Sequence, residues 1–234
     1  MASGAVLVPS RVRVWAGVRA VVALLIVAAI VTQAVVTIGG AVSDGRDVST
    51  TIANFFSFFT ILSNIAAVIA LLWAAARFGL RRPRNPTSQA LALTLASAST
   101  YMILTGIVYN ALLRNIPLPQ GTTVWWSNEV LHVIGPLFLL VDVLFAPWNR
   151  GLGWRAVLAV LGFPVLWVVY TLIRGPLVTN PLNGDPWWYP YPFLDPHSST
   201  TGGYAGVAGY VVGIAVAISL TALGIVWTSR RRAR

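Results

Sequence analysis

Six apolar runs, each long enough to cross a bilayer, constrain this chain more than anything else in it. They fall at about 14–38, 54–78, 88–113, 126–146, 154–175 and 203–228. A helix rises 1.5 Å per residue, so about 20 residues traverse the hydrocarbon core. All six runs reach that length, the fourth and fifth with least to spare. Only 9% of the residues are charged, against about 25% in a soluble domain. The chain reads as one all-α domain over residues 1–234, a polytopic bundle of six transmembrane helices. The first run exceeds the 7–15 apolar residues of a signal peptide and is counted as a span.

Flanking arginines set the expected direction. One side holds Arg11, Arg13 and Arg19, then Arg77, Arg81, Arg82 and Arg84, then Arg150 and Arg155, then Arg230, Arg231, Arg232 and Arg234. The other side holds Arg46, Arg114 and Arg174. Basic loops stay in the cytoplasm, which predicts cytoplasmic N- and C-termini in the cell membrane. The net charge of +10 is thus explained by topology, and no nucleic-acid partner is expected. Every basic residue is Arg, a bias that points to a GC-rich genome. Absent cysteine rules out disulfides and thiolate sites. Two His and six acidic residues argue against a protein-built metal cage, and no cofactor is expected.

Polar residues inside the runs carry the functional signal. The second run opens Asn54-Phe55-Phe56-Ser57-Phe58-Phe59-Thr60-Ile61-Leu62-Ser63-Asn64. Ser57, Thr60 and Asn64 fall on one helical face. The fourth run begins Trp125-Trp126-Ser127-Asn128-Glu129-Val130-Leu131-His132, and Asn128, Glu129 and His132 share a face there. Counted from the outer end of each run, Thr60 and His132 both lie about 9 Å in. They meet if the two helices are neighbours. Asp142 lies about 15 Å deeper than His132.

Each residue also has a plainer reading. Thr and Ser in membrane helices commonly bond their own backbone or glue helices together. His132 and Asp142 are costlier to bury and read by default as functional. Glu129 is shallow enough to reach interfacial water, and Asp142 has Arg150 or Arg155 as potential partners. Tyr101, Thr105, Tyr109 and Asn110 form a polar edge on the third run. Pro164 predicts a kink in the fifth, with Tyr170 and Arg174 at its outer end. Gly202, Gly206, Gly209 and Gly213 suit close helix packing. Loop 176–202 mixes six prolines with Trp187, Trp188, Tyr189 and Tyr191. It is either an aromatic belt or a lid over an outward-opening site. His197 in that loop reads as a solvated or belt residue.

These residues together resemble a family. A Thr early in the second run, Asn128-x-x-x-His132 in the fourth, an acid ten residues on (Asp142), and Tyr191-Pro192-Phe193-Leu194-Asp195 before the last run look like the androgen-induced and androgen-dependent TFPI-regulating membrane proteins. The resemblance spans most of the chain in topology and three short patches in motif. It implies a six-helix intramembrane hydrolase of fatty acid esters of hydroxy fatty acids, here of a bacterial kind. It places Thr60 as nucleophile and His132 as base, and leaves Asn128, Asp142 and Tyr191–Asp195 as matched positions without a role. Pro136 follows the His by four residues where the family has five, and Ser63 replaces an acid.

A threonine hydroxyl needs a base to become a nucleophile. His132 can take that proton and return it to the leaving alcohol. Asn128 or Glu129, one turn earlier, would orient the ring. Asn64, Ser57, Ser63 and Tyr191 are candidate donors to the oxyanion. Asp142 and Asp195 are further candidates for the pocket. The expected partners are a lipid or acyl-ester substrate and the surrounding membrane lipids. Two other functions compete. A solute or ion transporter would use His132 and Asp142 as stations on a polar path, although Leu137–Val141 between them is apolar. A non-catalytic lipid-binding protein would keep a pocket without needing the hydroxyl of Thr60.

Overall fold

The computed structural model describes residues 10–79, 87–116, 123–147 and 150–233. Arg81, Arg82, Arg84 and Arg234 of the topological argument lie outside these. Among the described residues the protein is all-helical, and six helices are long and apolar enough to cross a membrane. A helix suits that solvent because it satisfies its backbone polar groups within one segment.

Helix α1 spans Ser10–Ser43 and packs along α3, Phe59–Gly79. Helix α4, Gln89–Val108, is the central post and touches α3, α6, α7 and α8. It ends in one π-helical turn, Tyr109–Leu113. The fourth membrane helix runs without a break through α5 (Trp125–Glu129), a π turn (Val130–Ile134) and α6 (Gly135–Phe145). Helices α7, Ala156–Arg174, and α8, Gly203–Arg232, complete the bundle. Arg11 reaches the carbonyl of Phe145, and Arg232 those of Val143 and Ala146, so both terminal helices finish at one end. We call this the terminal end and the opposite one the loop end.

The second expected span is divided. Asp47 caps a separate short helix, α2 (Val48–Phe55), through the amides of Ser49 and Thr50. The chain then unwinds over residues 56–58 before α3 starts at Phe59. Tertiary partners hold the break. The indole of Trp167 donates to the freed Ser57 carbonyl at 2.9 Å, and Arg174 donates to the Asn54 side chain at 2.7 Å. Thr60 therefore stands in the first turn of a helix, and the depth counted from Asn54 along a continuous helix does not apply.

The π turn in the fourth helix has a local cause. Pro136 has no N–H, so the carbonyl of His132 loses its ordinary partner. The amide of Gly135 bonds Val130 instead of Leu131. Two carbonyls are thereby released, and side-chain amides take both. Asn64 donates to Leu131 at 3.2 Å and Asn110 to His132 at 3.4 Å. Gly106 makes this fit possible, because a Cβ there would lie 2.8 Å from Cβ of Pro136.

Two expectations about the surface are corrected. In loop 176–202, Trp188, Tyr189, Tyr191, Phe193 and Leu194 are buried against the bundle, so these residues do not form an outward belt. Gly175 admits them, since a Cβ there would lie 2.1 Å from the Tyr189 ring. Only Trp187 stays near the surface, stacked on the exposed His197. The glycines of α8 are not a packing seam. A Cβ at Gly209 or Gly213 would meet nothing within 4 Å, and at Gly206 it would strike only the carbonyl of Thr201.

Candidate active site

Three separate elements deliver the residues of the site. The first turn of α3 carries Thr60, the π turn carries His132, and the inserted loop carries Tyr191. Their side chains meet at the loop end, each at most 7% exposed. Thr60 Oγ1 lies 3.2 Å from His132 Nε2 and 3.1 Å from the Tyr191 hydroxyl.

Hydrogen-bond chemistry fixes the direction of every proton. His132 Nδ1 lies 2.9 Å from the Asn128 carbonyl, which can only accept, so Nδ1 carries the ring proton. In the neutral ring Nε2 is then a bare acceptor facing Thr60. The Tyr191 oxygen accepts from the backbone N–H of Thr60 at 3.1 Å. That amide lies in the first α3 turn and has no intrahelical partner. The phenol proton is left to point at Thr60 Oγ1, whose own proton points at His132. Burial pushes the Tyr191 phenol up to about 12, so it remains a proton donor at neutral pH.

The imidazole is held on its face as well as its edge. Tyr109 stacks on it with centroids 4.0 Å apart, and Asn128 Nδ2 donates to the Tyr109 hydroxyl. The backbone of Asn128 thus orients the imidazole, while its side chain fixes the neighbouring ring. Tyr109 was legible in the sequence only as part of a polar edge four residues from Thr105. Its place over His132 depends on the contact between two helices.

Several candidates point elsewhere. Glu129 pairs with Arg114 at 2.7 Å on the periphery and does not orient His132. Ser57, in the unwound segment, bonds Tyr170 at 2.9 Å and the carbonyl of Ala53. Ser63 bonds Thr105 and the carbonyl of Thr60. Asn64 Nδ2 donates to the carbonyls of Thr60 and Leu131. Asp195 caps the backbone of His197 in the loop. Of the four oxyanion candidates, only Tyr191 has its polar hydrogen at the Thr60 hydroxyl.

Asp142 belongs to a different cluster near the terminal end. Its partners are Arg19, through a two-pronged contact at 2.7 and 2.8 Å, and the indole of Trp15 at 2.6 Å. Neither Arg150 nor Arg155 pairs with it. Arg19, read from the sequence as a flanking charge, is 2% exposed. No group of three potential metal ligands occurs among the described residues.

Two hollows of very different size flank the Thr60–His132 contact. The larger, about 160 Å³, extends from Thr60, Tyr109 and Tyr191 between α4, α7 and α8 as far as Leu161 and Ser219. Its wall is almost wholly apolar, and the exposed Val165 and Ala215 form its rim between α7 and α8. An apolar cavity of about 150 Å³ accepts benzene. The smaller hollow, about 20 Å³, is bounded by Gln33, Phe58, Asn128, Thr60 and His132. A single water needs about 10–15 Å³. No family model matches the chain, and neither a curated protein nor a solved structure matches it.

Proposed function

We infer that this protein is an intramembrane threonine hydrolase of lipid esters, with Thr60 as nucleophile and His132 as general base. The observation that carries the reading is the 3.2 Å contact from Thr60 Oγ1 to the unprotonated nitrogen of an imidazole anchored on its other side. That is the nucleophile, base and orienting group of a triad, with a backbone carbonyl in the third role. The placement of this contact at the head of an apolar cavity supports an acyl substrate. Its carbonyl would lie at Thr60 and its chain between α4, α7 and α8.

Attack by Thr60 on the ester carbon transfers the hydroxyl proton to His132 Nε2 and forms a tetrahedral intermediate. Collapse breaks the bond to the leaving alcohol, which takes the proton back from His132. Water activated by the same imidazole then releases the fatty acid and restores Thr60. The small hollow beside His132 has room for that water. The resemblance to the androgen-induced family suggests fatty acid esters of hydroxy fatty acids as one substrate class. The arginine distribution favours a cytoplasmic terminal end. The site would then lie in the outer half of the cell membrane.

The test is turnover of a panel of long-chain esters, including branched hydroxy-fatty-acid esters, by purified protein in detergent. A fluorophosphonate probe reports the nucleophile directly. Wild type turns over and is labelled, while Thr60→Ala and His132→Ala lose both and still show a cooperative unfolding transition. Absence of wild-type turnover, or turnover unchanged in these variants, overturns the proposal. Retained ligand binding without turnover would point to a lipid-binding protein, and solute flux in liposomes to a transporter.

A further inference from the structure

We propose that Tyr191 is the third catalytic residue of this site, donating its phenol proton to the oxyanion that forms on the substrate carbonyl. This inference rests on the Thr–His reading above. At rest the Tyr191 oxygen is held by the Thr60 amide at the start of α3, and its O–H is spent on Thr60 Oγ1. The ring is fixed as firmly as the hydroxyl. It meets Phe58 edge-on with centroids 5.5 Å apart and stacks on Phe193 at 5.2 Å.

The resting geometry sets up the exchange. Thr60 Oγ1 loses its proton to His132 and forms a bond to the carbonyl carbon. The carbonyl π pair moves onto oxygen, creating the oxyanion one bond from that carbon. The threonine oxygen is then bonded to the tetrahedral carbon and is a weaker acceptor than the full negative charge beside it. The phenol, already 3.1 Å from Oγ1, turns its O–H to the oxyanion without leaving the Thr60 amide. On collapse the oxyanion pair reforms the carbonyl and the leaving-group bond breaks. The phenol stays on that carbonyl oxygen in the acyl-Thr60 intermediate and returns to the Thr60 hydroxyl after deacylation. No proton is lost from Tyr191 in this cycle. A donor that is preorganised and shielded from water acts where charge develops in the transition state. The other side-chain donors beside Thr60, the Ser63 hydroxyl and Asn64 Nδ2, are engaged with Thr105 and with backbone carbonyls, and the remaining Asn64 Oδ1 can only accept.

Tyr191→Phe removes one oxygen and keeps the ring packing. Loss of one such donor costs about 10²–10³ in kcat, with KM changed less than about threefold because the acyl cavity is intact. The infrared carbonyl band of the acyl-Thr60 intermediate rises in frequency in the variant, which a purely structural role for the ring would not produce. Fluorotyrosine at position 191 retains the hydroxyl and restores kcat to near wild type, which guards against misfolding of the phenylalanine variant. Wild-type kcat in a folded Tyr191→Phe protein, or an unshifted carbonyl band, overturns the role of Tyr191 and leaves the Thr–His reading standing. An inactive wild type removes both.

Discussion

The fourth membrane helix carries two buried polar clusters, and they solve the cost of burial in opposite ways. At the terminal end, Asp142 meets Arg19 on two oxygens and Trp15 on one of them, so charge and hydrogen bonds are matched within the cluster. At the loop end, Thr60, His132 and Tyr191 are neutral and linked in one directed line of hydrogen bonds. That line ends on a bare imidazole nitrogen and lies beside an open cavity. The first cluster is a closed clamp between α1 and α6. The second leaves an acceptor poised at a hydroxyl, which is what a reactive site requires. Polarity buried in an apolar bundle does not by itself distinguish these roles. The distinction lies in whether the partners are opposite charges that neutralise one another or neutral groups with a proton to pass along.

The sharpest way to break the comparison is to remove one reactive atom at a time. Thr60→Ala abolishes turnover, and His132→Ala lowers it about 10²–10⁴-fold, the usual worth of a general base. Thr60→Ser keeps the hydroxyl and retains activity within about tenfold. In detergent, Thr60→Ser melts close to wild type, while Thr60→Ala melts somewhat lower, because a buried donor or acceptor left unpaired costs about 1–3 kcal/mol. A Thr60→Ala loss as large as that expected at the clamp would show that the loop-end cluster is a clamp too.

The opposite result is expected at the clamp. Asp142→Asn leaves the Arg19 guanidinium buried beside a neutral amide, and breaking such a pair costs about 3–5 kcal/mol. Turnover per folded molecule is unchanged. The paired replacement Arg19→Met with Asp142→Leu recovers most of the stability, since buried ion pairs are often matched by apolar residues of similar volume. Chemical denaturation in mixed micelles reads both variants. Loss of turnover without loss of stability in Asp142→Asn would connect the two clusters and revive a transport path through the bundle.

The two clusters also differ in how far the sequence disclosed them. Six apolar runs are properties of single segments and are legible in the residue order. The depth count behind the pairing of Thr60 with His132 assumes a continuous helix from Asn54 that the structure interrupts, yet the two residues are legible there as candidates. The break at residues 56–58 is not, because no Gly or Pro marks it and its stabilising donors, Trp167 and Arg174, come from another helix. Pro136 hinted at a helix irregularity. The π turn became visible only with the Asn64 and Asn110 side chains that occupy its freed carbonyls. Arg19 was legible as a flanking charge because its position near a span end suits that role. Its pairing with Asp142, 123 residues away, is a tertiary fact. Aromatics among prolines suit a membrane surface and an inserted plug equally, so Tyr191 could be located near the site only through its contacts.

A smaller effect tests the packing that supports the reactive end. Gly106→Ala puts a methyl against Pro136, where the ideal Cβ position is 2.8 Å from the Pro136 Cβ. Overpacking of this kind costs about 1–3 kcal/mol. Because His132 is four residues from that proline, the variant lowers kcat more than it raises KM. A melt lowered with kcat unchanged would show that the π turn tolerates a shift without disturbing the base.

The smallest effect comes from a third acid, which sharpens the contrast with Asp142 because it lies in water. Asp47 caps α2 and accepts from the hydroxyls of Ser49 and Thr50 at 2.7 and 2.6 Å. Those hydroxyls, aided by the amides of the same two residues, hold its carboxyl at about 2, below the ordinary 3.8. A carboxylate depressed on folding stabilises the fold fully above the unfolded value. That contribution fades as pH falls from 3.8 toward 2, because the unfolded chain takes up the proton first. The melting temperatures of wild type and Asp47→Ala should therefore differ slightly at pH 6 and converge near pH 2. Helix α2 leads directly into the unwound segment before Thr60, so the same pair of proteins, compared for turnover at pH 6, reads whether that entry helix matters to the nucleophile. Equal turnover would assign the positioning of Thr60 to Trp167, Arg174 and Tyr191 alone.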